Sequence, residues 1–399
     1  MFLCLGLSEN QAWADGCEEA KPGDDPRLFV LTMPPGSEVW QSFGHVALWF
    51  SPGFKQPEPV FNWGAFDTNI PNPLMAFLEG RIEYELMVEP RKRTLSRYRP
   101  QNRTMVAQRL DLPPSVVTKI AKKLKVAAKP ENRPYNYHWL FRNCATRIRD
   151  LLDETMGGTL QSQHLNVTPH TSRSEVLRHF GPVWPIWFGW HFMASGYADQ
   201  PLVRWDTMFL PDRLMEALDE STVRWPDGTT RPLVAERCEV MTGTLPWADP
   251  TPPNRAPVLW SVGLAWGASV FALARRDWRW PAGLSVMFFG LVTGFFGTVT
   301  VFFWSASSLE GFGQNENWFQ ASPLSWMWIW IGWRIARGTL TPRVVQIARL
   351  LASIGCLGVL VSLLPVTPQM NGGIIGLFLP VMLATVWVVD FAQRVNSKV

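Results

Sequence analysis

The chain has 399 residues, enough for two domains of ordinary size. Its net charge of +4 comes from 37 basic and 33 acidic residues scattered along the chain, without the concentrated basic patch that nucleic-acid binding needs. A mean hydropathy near zero hides two populations: apolar residues are concentrated after Ala256, and the stretch before it is charged and proline-rich.

In chain order, residues 1–7 are apolar but lack a basic leader, and Ala12-Trp13-Ala14 offers a small-x-small cleavage site before Asp15. Residues 1–14 read as a truncated signal peptide, and an exported soluble domain is expected over residues 15–250. Strands are expected at 27–33, 44–50 and 60–64, each closed by Pro, Gly or Ser turn residues, with two more at 82–88 and 105–110. Leu112-Pro113-Pro114-Ser115 starts a helix reaching about Ala128, with Val117, Ile120, Leu124 and Ala127 on one face. A second helix starts near Asn143, with Ile148, Leu151 and Leu152 inward. The fold class is therefore α+β, in which a strand carrying His45 precedes a helix that opens on Cys144. The aromatic run 180–190 is suited to lie in a membrane interface, and equally to fill a core.

Five apolar segments follow, at about 258–274, 281–304, 322–333, 347–366 and 373–389, and the third is short for a span. Many of the 22 Trp residues, such as Trp278, Trp304 and Trp326, sit at segment ends, where indoles favour the headgroup region. The loops after the first and third segments and the tail carry Arg275, Arg276, Arg279, Arg334, Arg337, Arg343, Arg349, Arg394 and Lys398. The two intervening loops carry no Lys or Arg. This alternation predicts a multi-pass bundle over 258–390, with a cytoplasmic C-terminus and the front domain outside the bacterial inner membrane.

Of five cysteines, Cys4 lies in the signal and Cys356 in a span. Cys17 and Cys238, near the two ends of the exported domain, are placed for a disulfide, which leaves Cys144 as a free thiol. A helix N-terminus lowers a thiol's pKa through its unpaired N–H groups. Cys144 is thus the candidate nucleophile and His45 the candidate base. Asn62 on the next strand is the candidate that orients the imidazole, with Asp67 in reserve. Asn143 is a further orienting or oxyanion candidate. The remaining histidines show no metal-ligand spacing, and no P-loop, GxSxG or dinucleotide motif occurs, so no metal or cofactor is expected.

The order Phe43-Gly44-His45, Phe61-Asn62-Trp63-Gly64-Ala65-Phe66-Asp67, Tyr135-Asn136-Tyr137 and Asn143-Cys144-Ala145-Thr146-Arg147 resembles the Lnb-type family of bacterial membrane proteins. Met208-Phe209-Leu210-Pro211 and the loop with Asn315 and Asn317 also resemble its pattern, which makes those two asparagines substrate-side candidates. Ala145 stands where that pattern commonly has Thr or Ser. The resemblance implies a circularly permuted papain-like periplasmic domain ahead of the membrane helices, with Cys144 as nucleophile and His45 as base. It also implies a lipoprotein N-acyltransferase, which moves an acyl chain from a phospholipid through a Cys thioester to the α-amino group of a diacylated lipoprotein. Its partners would then be membrane lipid and the lipoprotein. Two other readings compete: a membrane-tethered cysteine peptidase or amidase acting on peptidoglycan, and a non-catalytic envelope module.

Overall fold

The apolar run at residues 27–33 has almost no polar side to offer solvent, and such a strand needs cover on both faces. The computed structural model describes residues 18–53, 58–66, 75, 79, 83–306, 311–364 and 369–396, and in it this run has that cover. Two compact units are present, Met1–His170 with Pro201–Pro250, and Thr171–Gln200 with Thr251–Val399.

In the first unit the run forms β1 (Arg27–Met33). It is followed by β2 (His45–Ser51), β3 (Pro59–Ala65), β4 (Glu83–Pro90), β5 (Met105–Leu110) and β6 (Pro134–Asn136). Short pairs join β7 (Val167–Thr171) to β8 (Pro201–Val203), and β9 (Thr222–Arg224) to β10 (Thr230–Pro232). With β11 (Val234–Met241), the main sheet has seven antiparallel strands in the order β11-β5-β1-β2-β3-β4-β6. Helix α1 (Arg91–Tyr98) lies on one face, over Phe29, Leu31, Ala47 and Trp49. Helices α2 (Pro114–Ala127) and α3 (Cys144–Thr155) cover the other, burying Ile120, Leu124, Ile148 and Leu152 against Leu28, Val30, Val46 and Leu48. The strands and helices expected from periodicity are present within a few residues of their expected ends. Cys238 lies in the α1-side core and is disulfide-bonded. Cys17, expected as its partner, lies outside the described residues.

The second unit begins earlier than composition suggested. It takes in α4 (Ser172–His179) and α5 (Trp184–Met193), residues assigned from sequence to the exported domain. Their aromatic side chains explain this. Phe188 and Phe192 pack on Phe296 at 5.3 and 4.8 Å, and Phe192 lies 6.4 Å from Phe378. Helix α6 (Pro211–Glu220) returns to the first unit, with Leu214, Ala217 and Leu218 in the α2/α3-side core.

The bundle helices are α7 (Ala256–Arg275), α8 (Arg279–Ala306), α9 (Met327–Ala336), α10 (Pro342–Ser362) and α11 (Gly372–Asn396). Where the sequence suggested five spans, four helices among the described residues are long and apolar enough to cross a membrane. The third apolar segment is instead a 3₁₀ turn, Pro323–Trp326, followed by the ten-residue α9. Ten helical residues rise about 15 Å, half the hydrocarbon thickness of roughly 30 Å. The helix is short because the Ser322/Ser325 capping box opens a 3₁₀ turn that takes four residues of the segment, and Gly338, at φ +64°, follows its end.

Glycine contacts set the directions of these helices. Gly297 abuts Ser322, Gly290 abuts Trp328, and Gly283 abuts Gly332, so α9 runs antiparallel to α8. Met382 lies against Gly355 and Asp390 bonds Arg349, so α10 runs antiparallel to α11. Gly373 meets Leu259 and Gly267 meets Pro380, so α7 and α11 run parallel. Pro380 has no N–H and leaves the carbonyl of Gly376 without its helical partner. Gly263 sits directly against that oxygen, where a Cβ would collide with the backbone of Gly376 and Leu377. Gly263→Leu is expected to force α7 from α11 at a cost of about 2–3 kcal/mol or more. Thermal melting in detergent would show it, with Gly189→Ala, which meets nothing within 4 Å, as the neutral control.

Candidate active site

The N-terminus of α3 is built by one residue. Asn143 is the N-cap: its Oδ1 accepts the N–H groups of Ala145 at 2.9 Å and Thr146 at 3.0 Å. The Thr146 hydroxyl accepts the N–H of Asn143 at 2.9 Å, closing a capping box. The Asn143 amide donates to the carbonyls of Trp139 at 2.7 Å and Phe209 at 2.9 Å. Both donors are thus occupied, so Asn143 orients Cys144 and has no free N–H for an oxyanion. Asn143→Ala removes a cap worth about 1 kcal/mol and orphans two carbonyls at roughly 1–3 kcal/mol each. A loss of about 3–7 kcal/mol in urea or thermal unfolding is expected, with Asn143→Asp in between because it keeps the acceptor.

His45 begins β2, paired with Met33 of β1. Gly44 before it has φ +76°, and a Cβ there would lie 2.6 Å from the Met33 carbonyl, so only glycine lets the strand start here. Gly64, at φ +116° beside an irregularity in the β3–β4 pairing, leaves room next to the His45 ring. The ring stacks on Tyr98 with centroids 6.2 Å apart. Asn62 is 3% exposed and directs its side chain at His45, an approach that favours the protonated ring. It does not close a hydrogen bond of good geometry, and its two amide atoms are buried without one. Such contacts are often loose before substrate binds.

Cys144, His45, Asn62 and Asn143 line one cavity of about 360 Å³. Aromatic side chains make up much of its wall, among them Trp40, Phe66, Tyr84, Tyr137 and Phe209, with Arg103 and Gln101. Cys144 keeps some surface on the cavity, but its sulfur is packed round by protein. Burial pushes the thiol's pKa up, against the backbone N–H groups of Val46, Ala145 and Cys144 itself and the charge of Arg103. The approach of the Val46 N–H brings the sulfur beside the residue that follows His45. The imidazole is lowered to about 4, by burial first and by Arg103 second, with Asn62 opposing. The expectation that the helix end would leave a thiolate is thus reversed, because desolvation outweighs the helix-end N–H groups. Cys144 therefore rests as a neutral thiol and His45 as a neutral imidazole on the same cavity.

The other sequence candidates stand elsewhere. Asp67 lies outside the described residues. Asn315 and Asn317, expected on the substrate side, are buried in the second unit and satisfy backbone there. Both amides donate to the Phe192 carbonyl, and Asn315 also donates to that of Met193. The Asn315 oxygen accepts from the Asn317 N–H and from Gln369. They tie their loop to the end of α5, where helix carbonyls lack intrahelical partners. His138 holds a tight turn, accepting the N–H groups of Leu140 and Phe141 on Nδ1, both at 3.2 Å. The sequence reading missed Arg103 and Tyr98, which come from an irregular segment and a short helix that carry no motif. Among the described residues no cluster of His, Cys, Asp and Glu is arranged to hold a metal.

No curated protein and no solved structure matches the chain. Residues 18–178, which include His45, Asn62, Arg103 and Cys144, match the Lnb N-terminal periplasmic domain, and this supports the Lnb family for that part of a chain that also carries four apolar helices of spanning length.

Proposed function

We propose that the protein is a membrane-bound cysteine acyltransferase that N-acylates lipoproteins. The observation that carries this reading is the shared cavity of Cys144 and His45, lined by aromatic residues, in a chain whose other unit is an apolar helix bundle. The His strand preceding the Cys helix in the chain is in keeping with a permuted papain-like domain. The charge alternation of the loops would put that domain on the periplasmic side of the inner membrane and the C-terminus in the cytoplasm.

In the first half-reaction Cys144 Sγ attacks the ester carbonyl of a glycerolipid such as a phospholipid, while the His45 imidazole takes the thiol proton. The C–O bond breaks, His45 returns the proton to the departing glycerol oxygen, and an acyl thioester remains. The α-amino group of the lipoprotein's terminal diacylglyceryl-cysteine then attacks the thioester. An amine proton passes to His45 and on to the sulfur, and the amide is released. Asn143 fixes the sulfur and Asn62 steadies the ring. The aromatic wall limits the water that would otherwise hydrolyse the thioester.

The test is expression in a bacterium depleted of its own N-acyltransferase, with lipopeptides read by mass spectrometry. N-acylated lipoproteins with the parent chain, and none with Cys144→Ala, are expected. Lipoproteins that stay diacylated at good membrane expression would refute the proposal. Cys144-dependent changes in muropeptides would point instead to a peptidoglycan amidase.

A further inference from the structure

The same cavity holds a buried cation that the steps above leave unused. Arg103, just ahead of β5, is 2% exposed. Its Nε donates to the Pro34 carbonyl at 2.7 Å, its Nη1 donates to Gln101 Oε1 at 3.2 Å, and its guanidinium lies over the Tyr98 ring at 5.5 Å. Its Nη2 is buried with no hydrogen-bond partner among the described residues. Among the described residues it forms no ion pair. Glu89, whose charge is felt at the neighbouring Tyr98, is committed to Thr94, Arg97 and Arg93. An isolated buried charge is costly, and a buried N–H without a partner, on a side chain that lines the cavity, adds to that cost.

The assembly around it is continuous with the catalytic pair. Arg103 bonds the carbonyl of Pro34, in the turn against which Gly44 packs, and Gly44 positions His45. Tyr98 touches both Arg103 and His45. We propose that Arg103 is a further catalytic residue, whose Nη2 donates to the oxyanion and whose charge stabilises the negative charge that develops at Cys144 during acyl transfer. This rests on the acyl-transfer reading. Preorganised donors of this kind act only as the transition state forms, which is why they raise turnover. Among the described residues, the other titratable groups on this cavity or felt at the sulfur are His45, which is neutral, Arg97, which is paired with Glu89, and the phenols of Tyr84, Tyr98, Tyr135 and Tyr137, all held neutral by burial. Arg147 is turned to the Tyr135 ring at 4.7 Å, and the cationic side chain whose charge is felt at the sulfur is that of Arg103.

The test uses the full-length protein in nanodiscs with Arg103→Gln, and Arg103→Met as an apolar side chain of similar length if the Gln variant does not fold. Iodoacetamide alkylation of Cys144 is followed against pH. Without the guanidinium the profile is expected to move to higher pH, with a drop of about tenfold in rate near pH 8. In parallel, kcat for acyl transfer is expected to fall about 10²–10³-fold with KM for the acyl donor little changed. An alkylation profile that does not move overturns the proposal. So does a KM raised tenfold at unchanged kcat, which would make Arg103 an anchor for an anionic substrate group. If the parent chain shows no acyl transfer, the functional reading fails, and the alkylation arm still decides whether Arg103 stabilises charge at Cys144.

Discussion

Cys144→Ser is expected to lower acyl transfer by at least about 10⁴-fold, and His45→Ala by about 10²–10⁴-fold, without measurable loss of fold. The double variant should be no worse than Cys144→Ser alone, because base and nucleophile act in one step and their effects do not add. The pH dependence follows from the neutral resting pair. His45 can accept a proton only while unprotonated, and its pKa is lowered to about 4. Activity per enzyme is therefore expected to hold as pH falls from neutral and to be lost only as pH drops through about 4. The thiol is raised by burial, so alkylation by iodoacetamide should be slow at neutral pH and climb above the ordinary thiol range. A thiolate–imidazolium pair would do the opposite, alkylating fast at pH 5–6, and that outcome would refute the account of the site. Lipopeptide mass spectrometry and alkylation kinetics measure the two sides separately.

Arg173→Met is expected to produce the largest loss of stability in the second unit, about 3–5 kcal/mol. Arg173 opens α4 and is fully buried. Its Nε and Nη2 bond the two Asp199 oxygens at 2.7 and 3.0 Å. The remaining donors meet the carbonyls of His191 at 2.7 Å, Ala194 at 2.8 Å and Ser195 at 3.2 Å, where α5 ends. Asp199 in turn accepts the Met370 N–H at 3.0 Å ahead of α11. Methionine fills much of the volume but leaves a buried carboxylate and three carbonyls without their donors. Arg173→Lys should lose less than Met but not recover the parent, since an ammonium cannot bridge both carboxylate oxygens and three carbonyls. Arg173→Met combined with Asp199→Leu should regain part of the loss, because the stranded charge goes too. Melting in detergent checks the series, and equal stability of parent and Arg173→Met would show that the pair is dispensable.

Most of the first unit was legible in sequence because its signals are local. Period-two and continuous apolar runs gave the strands, Leu112-Pro113-Pro114 the start of α2, and Asn143 a helix cap with Cys144 behind it. Four of the five expected spans are helices of spanning length among the described residues, and these were legible from composition; the shortness of α9, whose segment opens as a 3₁₀ turn and is followed by a positive-φ glycine, was not. The disulfide at Cys238 was placed from spacing, with its expected partner Cys17 outside the described residues.

By itself, then, the sequence determined the elements, the apolar segments with their alternating charges, and the pairing of one histidine with one cysteine as candidates. The tertiary structure decided what these residues do. It assigned α4 and α5 to the bundle, because aromatic packing partners are not encoded in neighbouring positions. It made Asn315 and Asn317 ties to backbone carbonyls, because their partners lie more than 120 residues away. It also set the protonation of Cys144 and His45, since desolvation depends on everything packed around a group and outweighs the helix terminus that sequence can show. Arg103 became visible only there, as a buried charge lining the cavity with no counter-ion among the described residues.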